Sequence, residues 1–395
     1  MDTLTEKYIK NHLNDDVFQL ALEKKHPDID IQFALRQISG YQNIKRKVPA
    51  FTEFEGLLYP THISLEQCSS QSTAQFKAQE ISKLFPDNFS LLDLTCGFGV
   101  DAFFISKYAG HAVLLEQNQE LADITKHNFS ILNKNVEVIN VDAEVFIKSN
   151  TKRFDVVFID PARRGRKGEK VVLLEDCTPN ILNLLPDIKK ITDVLAIKLS
   201  PMFDIKQLIA KLSGIKNIYS IGVDNECKEI FVIMDFNSNE EKIIAVNISD
   251  IENKISLMES TLYAEDNTNI LYTAELGKYL YEPYASFLKS GLFKTITNTY
   301  GVNKININSH LYTSSEYIED FPGRKLEIVD MVEFNKKEAK RFFEKYKKAN
   351  ITVRNFPITV EMLRKSYKVN SGGENYVFAT TIFPSTKVLI NCKKI

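Results

Sequence analysis

Between residues 89 and 236 the chain repeats one pattern: a short apolar run, a turn, an amphipathic stretch, then another apolar run. The runs are LLDL (91–94), HAVLLE (111–116), VEVI (136–139), FDVVFI (154–159), DVLAIKL (193–199), NIYSIGV (217–223) and EIFVIMDF (229–236). A strand apolar on both faces needs cover on both. Helices that carry the chain back to the same edge supply that cover, so the pattern predicts an α/β fold with a largely parallel, seven-stranded sheet between helical layers. Helices are expected near 100–108, 119–132 and 205–212. The last two runs are joined by too few residues for a crossover, so that pair is expected to be antiparallel.

The rest of the chain divides around this block. Residues 1–85 show helix-like segments, including 16–25 and 31–40, and no strand alternation, and they predict an N-terminal helical domain. Its last helix, within 69–83, opens on serines suited to capping. The sheet domain is placed at 86–240, with the polar stretch 237–240 as its expected end. A linker and small segment (241–320) and a basic α+β domain (321–395) follow, the latter with one long helix candidate at 336–348.

Charge separates the last domain from the others. Residues 321–395 hold 16 Lys/Arg against 7 Asp/Glu, a net of +9, whereas the preceding 320 residues hold 34 against 44, a net of −10. The formal total of −1 conceals that division. Clustered cations suit a polyanionic partner. No apolar run is long enough to span a bilayer and the first residues lack a signal-peptide core, so a cytoplasmic protein without membrane association is expected. The 5 cysteines are scattered without a C-x-x-C pair and the 6 histidines show no ligand spacing, so no metal is expected.

The chemistry is concentrated where strands end. LLDLTCGFGVDA places Gly97, Gly99 and Ala102 in a strand-to-helix turn, where the backbone can approach a ligand closely. Glu116 ends the next strand, where a carboxylate can accept both hydroxyls of a ribose. Those features fit a nicotinamide dinucleotide and S-adenosylmethionine equally. Asp142, after the third strand, is placed to accept from an adenine amine. Asp160-Pro161-Ala162-Arg163, after the fourth, lies at the edge where such folds react substrates, and a nicotinamide enzyme has no general need of it. Asp93 precedes the glycines and can order their loop or meet a ligand's ammonium. Arg163, Arg164, Arg166, Lys167 and Lys170 make a cationic loop beside Asp160, read as a phosphate clamp.

These residues together resemble the class I S-adenosylmethionine-dependent methyltransferases over residues 89–236. Residues 93–101 look like their glycine-rich first motif, Glu116 like the ribose acid, Asp142 like the adenine-side acid, and D-P-A-R like the [DNS]-P-P-[YF] tetrad of amine methyltransferases. Nearly the whole chain resembles a bacterial family with a C-terminal THUMP-like domain preceded by a small ferredoxin-like segment. The carrying motifs are LEQCSSQSTAQFKA, YEPYASFLKSG, FPGR and RNFP. The resemblance implies a Rossmann-like methyltransferase fold, S-adenosyl-L-methionine as cofactor and RNA, rRNA or tRNA, as substrate. It implies cofactor contacts at Asp93, Thr95, Gly97, Gly99, Glu116, Asp142 and Ala143, with Gln67 and Ser70 toward the methionine end. Asp160, Pro161 and Arg163 take the catalytic place, and Arg163, Arg164, Arg166, Lys167, Arg354 and Arg364 are expected to meet RNA.

Two departures shape the expected reaction. Ala162 and Arg163 replace the second proline and the stacking aromatic of the amine tetrad, although a guanidinium can also lie on a base. D-P-A-R also occurs in enzymes resembling the 5-methyluridine RNA methyltransferases, which need a cysteine after the fifth strand. This chain has Ser200 in IKLSPMFD and no cysteine. Transfer to an exocyclic or ring nitrogen of an RNA base is therefore expected, with Asp160 and the Pro161 carbonyl accepting from the amine. The alternative is an RNA-binding or ribosome-assembly factor that keeps a cofactor-shaped fold without turnover. Neither the RNA nor the oligomeric state is fixed by these residues.

Overall fold

The computed structural model describes residues 3–22, 28–133, 135–163, 173–238 and 241–395, with Arg163 described by its backbone. Among them the chain forms two compact units, residues 1–218 with 229–240, and residues 219–228 with 241–395. The four sequence segments thus pair off. The helical segment joins the sheet domain in the first unit, and the ferredoxin-like and basic segments share one sheet in the second.

The first unit opens with helices α1 (Thr3–His12), α2 (Val17–Leu22), α3 (Ile31–Lys47), α4 (His62–Gln67) and α5 (Gln71–Ser82). Ser70 caps α5 by accepting from the Thr73 amide. The helical segment buries Tyr8, Ile9, Leu20, Ala34 and Ile38 together and also packs against the sheet domain: the Phe51 ring lies 5.0 Å from Phe103 and 5.6 Å from Phe98. The Asn128 side chain pairs with both backbone groups of Leu58, at 2.8 and 2.9 Å.

The alternation of strand and helix then runs β1 (Phe89–Asp93), α6 (Val100–Ile105), β2 (Ala109–Glu116), α7 (Gln119–Leu132), β3 (Val136–Asn140), α8 (Ala143–Ser149), β4 (Val156–Ile159), α9 (Ile181–Ile191), β5 (Val194–Leu199), α10 (Ile205–Lys211), β6 (Ile215–Val223) and β7 (Glu226–Asp235). The strand order is β6-β7-β5-β4-β1-β2-β3. The pairings from β3 through β5 are all parallel, and β7 runs antiparallel to β5. In β4 all four residues are at most 1% exposed, which is the two-sided burial that a central parallel strand requires. Helices α7, α8, α9 and α10 start on Asn118, Asp142, Asn180 and Asp204, whose side chains accept from first-turn amides. Capping residues and ligand-facing loops therefore share the carboxyl edge of the sheet.

The base of the β6–β7 hairpin belongs to the first unit and its tip to the second. The polar stretch at 237–240 does not end the sheet. Strand β8 (Lys242–Ser249) follows β6 in the order and pairs in turn with β9 (Lys254–Ser260). Six of the eight β8 residues are buried, so this strand is a covered neighbour rather than a linker.

After α11 (Leu262–Asn267), the second unit continues with β10 (Tyr279–Pro283), α12 (Ala285–Ser290), α13 (Phe293–Tyr300), β11 (Asn303–Lys304), β12 (Tyr312–Ser314), β13 (Gly323–Glu333), α14 (Lys336–Lys345), β14 (Asn350–Arg354), α15 (Val360–Tyr367), β15 (Tyr376–Ile382) and β16 (Thr386–Lys394). Its sheet has the order β11-β12-β10-β13-β16-β15-β14. Because β13 pairs with β10, a cut near residue 321 divides a single sheet. In α14, Ala339, Phe342, Phe343 and Tyr346 recur at helical spacing and are buried with Leu363, Val377 and Leu389, leaving the lysines on the other faces.

Candidate active site

The glycine loop lies between β1 and α6. Gly99 has φ +84°, and a Cβ there would stand 2.5 Å from Phe129 Cε2, so glycine is required by packing as well as by conformation. Gly97 also has positive φ, +54°, yet a Cβ there would meet nothing within 4 Å. Beside Gly97 there is open space, as a ligand-facing turn requires.

Glu116, at the end of β2, holds this loop in shape. Its Oε2 accepts from the Gly97 amide at 3.1 Å and its Oε1 from the Asn118 amide at 2.8 Å. Thr125 donates to the Gly97 carbonyl at 2.8 Å from the opposite side. Asp93 is 1% exposed and accepts from the Thr95 amide at 2.9 Å. Burial pushes its carboxyl well above the ordinary range despite that bond, and Asp101, Asp160 and Glu116 add to the rise. Asp142 caps α8 through Oδ1, accepting from the Glu144 and Val145 amides, with Ala143 as the first helical residue.

Thr95 joins the loop to the reactive edge: its Oγ1 accepts from the Asp160 amide at 2.7 Å. Asp160 Oδ2 in turn accepts from Lys198 Nζ at 2.6 Å, and the Asp160 side chain is 35% exposed while that of Lys198 is 11% exposed. Behind this pair runs a buried sequence of alternating charges. Lys198 Nζ lies 3.6 Å from Asp101 Oδ2. Asp101 Oδ1 lies 3.0 Å from Lys77 Nζ, an ion-pair contact too bent for a hydrogen bond. Lys77 donates to Glu229 Oε1 at 2.5 Å and to Ser69 Oγ at 2.9 Å, and Ser69 donates to Asp101 Oδ2 at 2.7 Å.

The electrostatics follow from these distances. Burial would raise the Asp101 carboxyl, yet Lys77 and Lys198 hold it down to about 2. Burial would lower Lys198, but Asp160, Asp101 and Glu229 raise it above the ordinary lysine value. Lys198 is therefore a fixed cation at neutral pH.

The expected residues divide clearly. Asp93, Thr95, Gly97, Gly99, Glu116 and Asp160 meet through bonds of one loop system, with Asp142 and Ala143 at the following strand end. Ser70 serves as a helix cap, and its neighbour Ser69 is the serine that enters the charged network. Gln67 is an exposed residue at the end of α4. Arg164, Arg166, Lys167 and Lys170 lie outside the described residues, as does the side chain of Arg163. In the second unit, Arg354 donates through Nε and Nη2 to Glu282 Oε1, at 3.1 and 2.9 Å. Arg364 donates to the carbonyls of Val369 and Ala349. Both arginines are thus engaged within their own domain instead of standing free for phosphate.

Sequence reasoning missed Lys77, Asp101, Lys198 and Glu229. The available signal was a charge inside an apolar run, Lys198 in VLAIKL and Glu229 at the head of EIFVIMDF, since an unpaired charge does not persist in a buried strand.

Seven neighbouring strands in the order β6-β7-β5-β4-β1-β2-β3 with β7 reversed, a glycine loop after β1 and an acid after β4 define the class I methyltransferase fold. Beyond that fold, separate segments of the chain match separate family models. Residues 279–322 match a ferredoxin-like domain model and 323–394 a THUMP domain-like model. Residues 76–175 match the family described as Conserved hypothetical protein 95. A solved structure from Porphyromonas gingivalis, assigned provisionally as a methyltransferase, superposes with a TM-score of 0.87 at 28% identity, covering 99% of this chain and 97% of that one. An uncharacterized RNA methyltransferase of Mycoplasma mobile is 28% identical over 182 residues, 46% of this chain and 47% of that protein. The ribosomal RNA small subunit methyltransferase J of Coxiella burnetii is 28% identical over 93 residues, 22% of this chain and 37% of that protein. The chain thus spans less than half the length of these curated relatives. Among the described residues no helix is long and apolar enough to cross a membrane.

Proposed function

We propose that the chain transfers a methyl group from S-adenosylmethionine to RNA. The observation that carries this reading is the bond between Thr95 Oγ1 and the Asp160 amide, which ties the ligand-facing glycine loop to the acid at the reactive edge. Open space at Gly97, the two oxygens of Glu116 and the acids at 93 and 142 suit the cofactor's ammonium, ribose and adenine. When bound there, the cofactor supplies an electrophilic methyl. The chain's own residues orient the acceptor and receive its proton. The RNA substrate is supported by the THUMP-like domain and by the names of the relatives. A non-catalytic descendant has no use for a half-buried acid held against a lysine at the reactive edge, which favours turnover over a purely binding role.

A nitrogen acceptor is supported by the likeness of D-P-A-R to the amine tetrad. It requires Asp160 to accept through Oδ1 and the Pro161 carbonyl, since Oδ2 holds Lys198. The proposal is tested by incubating the full chain with methyl-labelled cofactor and total RNA from a strain lacking it. Label in one RNA species supports the reading, and calorimetry showing no cofactor binding contradicts it.

A further inference from the structure

Resting on the RNA methyltransferase reading but replacing its nitrogen acceptor, we propose that the methyl acceptor is a ribose 2′-hydroxyl of the RNA, with Lys198 steadying the acceptor oxygen and Asp160 receiving its proton.

Methylation of an amine builds a positive charge on nitrogen, and a site for that reaction does well to surround the nitrogen with acceptors and aromatic faces. Here the residue beside the reactive-edge acid is an ammonium, 2.6 Å from Asp160 Oδ2. Its nearness opposes a nascent cation, and the tetrad's aromatic position is Arg163, a second cation. For an oxygen acceptor the requirement reverses. A hydroxyl is a weak nucleophile until its proton leaves, and partial negative charge then gathers on oxygen. A fixed cation adjacent to a carboxylate meets both needs at once.

The remaining charged residues keep the cation in place. Lys198 is flanked by Asp101 as well as Asp160, and these carboxylates outweigh burial to keep it protonated, so it acts as a charge and hydrogen-bond donor, not as a base. Asp101 is itself fixed by Lys77 and Ser69, and Lys77 by Glu229. Of the five charged side chains, Asp160 is the most exposed, at 35%. The acceptor therefore enters from the Asp160 side. Every nucleotide of RNA presents one hydroxyl of this kind, and that group can both donate to Asp160 and accept from Lys198.

The step balances. The oxygen lone pair forms the new C–O bond as the methyl–sulfur bond breaks. That bond's electron pair stays on sulfur and neutralises the sulfonium, and the hydroxyl proton passes to Asp160 and then to solvent.

The test combines product analysis with variants of the full chain. RNA labelled by the enzyme is digested with alkali, which cleaves next to every free 2′-hydroxyl and spares a methylated one. The proposal expects the label in alkali-stable dinucleotides, and no label when the target nucleotide carries a single 2′-deoxy substitution. Lys198→Met should lower kcat about 10²- to 10³-fold while calorimetric affinity for S-adenosylmethionine stays unchanged, and Lys198→Arg should restore part of the loss. Label recovered in an N-methylated base overturns the hydroxyl acceptor and leaves the RNA methyltransferase reading standing. Cofactor binding without label in any RNA overturns both. Lys198→Met with full kcat overturns the role given to Lys198.

Discussion

Lys77 and Glu229 stand 152 positions apart in the chain and meet at 2.5 Å, the lysine wholly buried and the glutamate 4% exposed. This contact fastens α5, the helix that precedes β1, to strand β7. Through Asp101 and Lys198 it also sets the position of Asp160. Stability and chemistry in the first unit therefore share one set of side chains.

Removing one member of a buried pair strands the other. Lys77→Met is expected to destabilise the protein by about 3 to 5 kcal/mol, because Glu229 loses its cation and Asp101 keeps only Lys198. Glu229→Gln should cost less, since Lys77 keeps Ser69 and Asp101. Urea unfolding of the two variants checks the order, and a Lys77→Met variant as stable as the parent contradicts it.

The two loop glycines should respond differently. Gly99→Ala places a methyl against Phe129 at a positive φ and should cost about 1 to 3 kcal/mol of stability. Gly97→Ala meets open space and should cost about 1 kcal/mol, yet its methyl enters the space assigned to the cofactor. Melting temperatures and cofactor titrations on both variants separate the effects. The expectation is a larger stability loss for Gly99→Ala and a larger loss of S-adenosylmethionine affinity for Gly97→Ala.

Glu116, proposed to hold the cofactor's ribose, makes a loop bond at each oxygen. Glu116→Ala should weaken S-adenosylmethionine binding by about 1.5 to 3 kcal/mol, the range for charged hydrogen bonds, measured by calorimetry. Unchanged affinity would assign Glu116 to loop structure alone.

Acid should act on Asp101 and Asp93 with opposite signs. Asp101, lowered from 3.8 to about 2, contributes stability that is present above pH 3.8 and is lost as pH falls toward 2, about 2 kcal/mol in all. Asp93 is raised, so ionising it opposes folding, and protonation as pH falls relieves that cost. Asp101→Asn should flatten the loss of stability below pH 4, whereas Asp93→Asn should act above pH 4, where it removes a gain of stability on acidification. Stability measured from pH 2 to 7 decides both.

Much of the first unit was legible because strand-and-helix alternation, caps and the glycine turn are local signals. The helix over 119–132 follows from its amphipathic spacing, and the short connection between the 217–223 and 229–236 runs leaves them neighbours in the sheet. The same logic misplaced the sheet's end at 237–240, since whether β8 pairs with β6 depends on partners distant in sequence. The charged network escaped for the same reason: Lys77, Asp101, Lys198 and Glu229 come from four elements, and no spacing links them. Arg354 looked like a phosphate contact beside a turn because its partner, Glu282, lies 72 positions away.

Those partners also redirect the test of the basic domain. Truncation near 321 would break the sheet through β10 and β13, so single charges are the better probe. Lys336, Lys337, Lys347 and Lys348 are exposed. Replacing one that contacts RNA should weaken binding and reduce the salt slope by about 0.7 to 0.9. Arg364→Gln should leave the slope unchanged, because that side chain serves the domain's own carbonyls. Salt-dependent RNA titrations in which all four lysines are silent would assign the domain to packing.

The most direct measurement is site-resolved mass spectrometry of RNA from a strain lacking this protein, complemented with either the parent chain or Asp160→Ala. The account predicts one methylated nucleotide lost on deletion, restored by the parent and absent with Asp160→Ala, while that variant still binds S-adenosylmethionine. Restoration of the methyl group by Asp160→Ala, or an RNA methylation pattern untouched by the deletion, would contradict it.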